Sequence, residues 1–125
     1  MNDFIHEHKV ETYKSLITIS LEAFKYLALL NGGAAAGMLT GMDRVVSLIG
    51  KSAFRESMVF FVTGLACSGL AIILAWCTQY RLHAENIGRA KLDSHKSIVN
   101  VALVCVVLSF AAFCIGSLHA AFKIH

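Results

Sequence analysis

The sequence has no proline, a single tryptophan and little charge: only 15% of its 125 residues are Asp, Glu, Lys or Arg. Without proline, nothing in the chain forces a break inside a helix. An average soluble domain carries about 25% charged residues, whereas here 57% are hydrophobic and the mean hydropathy is +0.66. So short a chain has too little interior to hide that much apolar surface from water. Catalytic patterns are missing too. No Gly-rich phosphate loop follows a strand, no CxxC pair occurs among Cys67, Cys77, Cys105 and Cys114, and no two histidines stand four apart. Helical zinc ligands need that last spacing. No catalytic residues, metal site or cofactor are expected, and the protein is not expected to be an enzyme.

The charge that is present avoids three blocks. These are 26–42 (YLALLNGGAAAGMLTGM), 58–80 (MVFFVTGLACSGLAIILAWCTQY) and 98–122 (IVNVALVCVVLSFAAFCIGSLHAAF), none of which contains Asp, Glu, Lys or Arg. A helix needs about 20 apolar residues to cross a bilayer. The expected fold is therefore all-α: an integral membrane protein with three transmembrane helices, forming a symmetric oligomer. Residues 1–25 form a polar arm, and Met1–Lys14 lacks the pattern of a cleavable signal. Val10, Tyr13, Ile17, Leu21 and Phe24 recur at helical spacing, so the first helix is long and amphipathic before it becomes apolar. Leu16–Leu21 carries the first block backwards through Glu22 and Lys25, which are three apart and expected to pair at the membrane surface.

Residues 81–97 form a charged collar around a turn near Gly88. With the arm and Lys25, this side holds seven basic residues (Lys9, Lys14, Lys25, Arg81, Arg89, Lys91 and Lys96), against Arg44, Lys51, Arg55 and Lys123 on the other. The excess places the N-terminus in the cytoplasm. Arg81, Arg89 and Lys91 would contact anionic lipid headgroups or, multiplied in a ring, bind a cytoplasmic regulatory protein or nucleotide. On the far side, the loop from Asp43 to Ser57 would lie along the interface as a short amphipathic segment.

Glycine is abundant where a soluble helix would avoid it, since each costs about 1 kcal/mol relative to Ala. Gly33, Gly37 and Gly41 recur every four residues and share a face. Helix two offers Gly64, Ser68, Ala71 and Ala75, and helix three Ser109, Ala112, Gly116 and Ala120. In lipid, where no hydrophobic drive joins helices, such smooth faces allow close packing. Gly33, Gly37, Gly41, Gly64, Ser68 and Gly116 are the packing residues expected. Asn31 projects about a third of a turn from the glycine series. An unpartnered amide in hydrocarbon is costly, so it must bond within the protomer, bond its copies, or line a wet cavity. Asn31 and Thr40, with the apolar residues between them, are expected to face a central axis. The hydroxyls of Thr40, Thr63, Ser68 and Ser109 can be satisfied on their own helices and carry little weight alone.

The stretch LLNGGAAAG, followed by a short loop, a Gly-containing second span and an aromatic exit at WCTQY, resembles small bacterial three-helix membrane effectors of antiphage and prophage operons. The channel domain of Hailong-type defence effectors is one example. The resemblance implies an oligomeric ion channel in the bacterial inner membrane that arrests the growth of an infected cell and is held closed by a partner or ligand. These 125 residues carry no added sensor domain. Two other readings fit three short spans: a phage holin, and a membrane-anchor subunit of a respiratory complex, faintly suggested by HAENIGRAKLD around His83. A structural partner of a transporter or secretion complex is a fourth.

Overall fold

The computed structural model describes residues 2–88, 91 and 96–124; for 2, 3, 5, 6, 10, 13, 85 and 86 only the backbone is described. Its elements are all helical: α1 (Asn2–Thr40), α2 (Met42–Ile49), α3 (Lys51–Asn86) and α4 (Lys96–Phe122). The absence of proline lets α1 run through 39 residues. Gly41 interrupts it for a single residue, with backbone hydrogen bonds from Gly41 to Gly37 and from Val45 to Gly41 carrying the ladder across. Gly41 therefore belongs to the α1–α2 junction and not to a continuing packing stripe. The loop expected from Asp43 to Ser57 is divided: its first half lies in α2, an eight-residue helix, and its second half is the start of α3. Gly50, at φ +83, turns α2 into α3. That backbone region is essentially reserved for glycine. Gly88, where the second reversal was expected, also has a positive φ of +73.

α3 and α4 form the main contact, antiparallel, with α1 laid against both. Their small residues meet: Gly64, Ser68, Ala71, Ser109, Ala112 and Gly116 are all buried. A Cβ on Gly116 would stand 3.0 Å from Phe61 and 3.1 Å from Phe60, so the ring of Phe61 fills the space that the glycine leaves. Phe61 also meets Phe113, with ring centroids 6.0 Å apart. Toward the Gly88 end, Phe24, Ala71 and Cys105 make a second buried cluster. Cys67 lies one turn away from that level, and all four cysteines are free thiols.

Among the described residues, two helices, α3 and α4, are long and apolar enough to cross a membrane, not the three expected. α1 falls short for a readable reason. Its uncharged run is only 26–42, and Asn31, Gly32, Gly33 and Gly37 dilute it further. The core helix of a soluble protein would turn its apolar residues inward, but α3 and α4 do the reverse. Every exposed residue of α4 from Val101 to Leu118 is apolar, and Val59, Val62, Leu70, Ile73 and Trp76 face outward from α3.

Candidate functional site

Asn31 occupies the point where the three long helices meet. Its side chain is completely buried, and its Nδ2 donates to the Leu27 carbonyl (3.1 Å), the Ser109 carbonyl (3.2 Å) and Ser109 Oγ (3.2 Å). Ser109 Oγ in turn donates to the Gly64 carbonyl of α3 at 2.8 Å. Ser109 thus spends its hydroxyl between helices, although its own helix also offers an acceptor. Ser68 does bond its own helix, at the Leu65 carbonyl, and Thr40 does so at Ala36 and Gly37. Gly64 makes the arrangement possible. A Cβ there would lie 2.6 Å from Asn31 Cγ and 2.8 Å from Nδ2, and closer still to Oδ1, which has no hydrogen-bond partner. Asn31 is therefore an internal lock of the protomer; the fold turns it away from any external axis.

Opposite Asn31, α1 presents a different surface. Glu22 and Thr40 each stand nine residues from Asn31, two and a half turns, so both project on the far side of the helix. The same arc collects Ser15, Thr18, Leu29 and Gly33, all exposed. Nothing in the protomer approaches within 4 Å of a Cβ built on Gly33 or Gly37. The glycine face expected to pack helices is thus left unpartnered by the chain itself. Glu22 and Lys25 pair at 3.0 Å, and both side chains are 68% exposed.

The height of this pair differs from the expectation of a surface position. Phe24, between the two, packs on Ala71 and Cys105. At a rise of 1.5 Å per residue, Ala71 is about 15 Å inside Arg81 and about 22 Å inside Glu56 along α3. The ion pair is thus level with the interior of the uncharged stretch 57–80 and not with its end.

At the Gly50 end, Glu56 accepts from Ser52 Oγ at 2.8 Å. Its other oxygen lies 2.9 Å from His119 Nε2, at ion-pair distance but out of line for a hydrogen bond. Sequence reading left these two unpaired, although a hairpin centred near Gly88 brings them to one height. Ser57 beside them is fully buried with an unpartnered hydroxyl, and no sequence signal marked it. An open groove of about 470 Å³ borders this end, lined by Ala34, Gly37, Met38, Val45, Phe61 and Ala120 among others, and is almost wholly apolar.

At the Gly88 end, Arg81, His83 and Lys91 are exposed. Arg89, His95 and the side chain of His6 lie outside the described residues. Trp76 and Tyr80 stack with centroids 6.1 Å apart just before Arg81. Among the described residues, no group of three His, Cys, Asp or Glu side chains is placed to hold a metal ion.

No family model, curated protein or solved structure matches this chain. The resemblance seen in LLNGGAAAG therefore rests on the sequence alone, and function must be argued from the surfaces just described.

Proposed function

We propose that the protein is a homo-oligomeric membrane pore whose conduit is lined by the outward face of α1. One observation carries this reading: the protomer is two-sided. α3 and α4 turn Val, Leu, Ile and Trp outward, as lipid requires, while the face of α1 opposite Asn31 carries Ser15, Thr18, Glu22, Gly33 and Thr40, flanked by Lys25 and interleaved with exposed Ile19, Tyr26 and Leu29. Charged residues within a membrane almost always face a bundle interior or a water-filled cavity. A lone protomer offers α1 neither, but a ring of copies offers both. Gly33 and Gly37 allow neighbouring α1 helices to approach closely, and cyclic symmetry closes the ring.

This arrangement accounts for the low apolarity of α1. A helix lining a wet axis needs apolar residues only on the side that packs against its own protomer. Thr40 keeps the lining role given to it from sequence, and Asn31 yields that role to Glu22. Arg81 and Lys91 would meet anionic lipid headgroups, or an anionic regulator, at the Gly88 end. That end is read as cytoplasmic from the excess of basic residues. By the LLNGGAAAG resemblance, the biological role is that of a growth-arresting effector in bacterial antiphage defence, acting in the inner membrane by dissipating ion gradients and not by catalysis.

Purified protein in planar bilayers should give discrete conductance steps, and its mass in nanodiscs should correspond to several chains. Well-inserted protein that remains a single chain, or leaves the bilayer silent, overturns the proposal. Expression should depolarise cells and arrest growth before any lysis. Abrupt lysis at a fixed time would favour the holin reading.

A further inference from the structure

Within the pore reading, on which this step rests, we infer that Glu22 forms a ring of carboxylates that makes the conduit cation-selective. Three independent features converge on this residue. Its position nine residues from the fully buried Asn31 fixes its direction, because two and a half turns separate an inward side chain from an outward one. Its neighbour Phe24, packed on Ala71 and Cys105, fixes its height inside the uncharged part of the bundle. Its partner Lys25, 3.0 Å away, is displaced by about 60° around the helix from it.

That displacement separates the two charges. Glu22 lies at the centre of the outward arc and Lys25 at its flank. In a ring of copies the carboxylates point at the axis, while the ammonium groups sit between adjacent α1 helices. Lys25 holds Glu22 through Oε1 without placing the cation on the ion path. Rings of Asp or Glu select cations because fixed negative charge compensates the water an ion loses in a narrow passage. One turn toward the Gly88 end, Thr18 lies on the same arc; its hydroxyl donates to the Lys14 carbonyl at 3.0 Å. The lone pairs of that oxygen remain to meet a passing cation.

The test is the reversal potential of single channels in planar bilayers under a KCl gradient. The unaltered protein should be cation-selective. Glu22→Gln should move the reversal potential toward zero, Glu22→Lys should invert its sign, and Glu22→Asp should keep the original sign. Since the Glu22 side chain is 68% exposed and pairs within its own helix, these variants should insert and assemble, which nanodisc mass checks directly. A conducting protein whose reversal potential is unmoved by Glu22→Gln overturns this inference alone; the pair would then be snorkelling to the near surface. A protein that never conducts overturns the pore reading and this inference with it. Anion selectivity in the unaltered channel overturns the inference and leaves the pore standing.

Discussion

Asn31 and Gly64 are one feature divided between two helices. The amide fits because α3 offers a residue without a side chain, and Ser109 on α4 completes the bonding. Intramembrane hydrogen bonds of this kind average about 0.6 kcal/mol and reach about 1.7, so the close fit matters as much as the bonds. Gly64→Ala forces a methyl group into the amide, and overpacking of this sort costs about 1–3 kcal/mol. Adding Asn31→Ala to Gly64→Ala should recover part of that loss by vacating the space. Unfolding of both variants in detergent micelles, followed by helical circular dichroism, checks the pair. Equal stability of Gly64→Ala and the parent protein would show that the contact is not tight. Sequence reading could see that Asn31 needed a partner. It could not choose among partners, because helix phase alone does not say which face turns inward, and Ser109 is distant in the chain. The level of Glu22 against α3 was out of reach for a related reason: distance to the end of a hydrophobic block says nothing about the register between helices.

The helices themselves were readable to different degrees. α3 and α4 contain the blocks 58–80 and 98–122 whole, since long uncharged runs rich in Leu, Val and Ile leave few alternatives. α1 was legible as one long helix, but not as lacking a membrane-crossing apolar run: its uncharged stretch is short and diluted by Asn31 and glycines. The break at Gly41 was hidden by the four-residue glycine spacing, which continues through the junction. The outward face of α1 yields two predictions. Gly33→Leu with Gly37→Leu should leave the protomer folded, because nothing in the chain lies near either position, yet it should disperse the oligomer. Native mass combined with circular dichroism separates these effects, and an intact oligomer would remove α1 from the interface. Leu29 is the most exposed large apolar side chain of the arc, at 73%, and stands two turns beyond Glu22. Apolar constrictions gate by expelling water, so Leu29→Ser should raise the open fraction in bilayers and deepen growth arrest. Unchanged opening would place the gate elsewhere.

The whole molecule inserted alone would present an ion pair to lipid. Insertion scales put each charged residue at about 3 kcal/mol near mid-bilayer, and pairing Glu22 with Lys25 offsets only part of that. In the proposed ring, assembly would remove the remainder by turning the pair toward water and neighbouring copies. On that proposal the membrane penalises the lone protomer more than the ring, and the difference would help drive association. Replacing both charges tests this balance. Glu22→Leu with Lys25→Leu makes the outward face of α1 resemble those of α3 and α4, so a single protomer becomes comfortable in lipid. The double variant should insert at least as well as the parent, judged by resistance to carbonate extraction. In nanodiscs it should shift toward single chains, and in planar bilayers its conductance should fall. Persistence of the full oligomer with normal conductance would mean that the Glu22–Lys25 pair plays no part in assembly, leaving Gly33 and Gly37 to account for it unaided. Loss of insertion would mean the opposite of what the two-sided protomer requires, because a wholly apolar α1 would then be worse suited to the bilayer than a charged one.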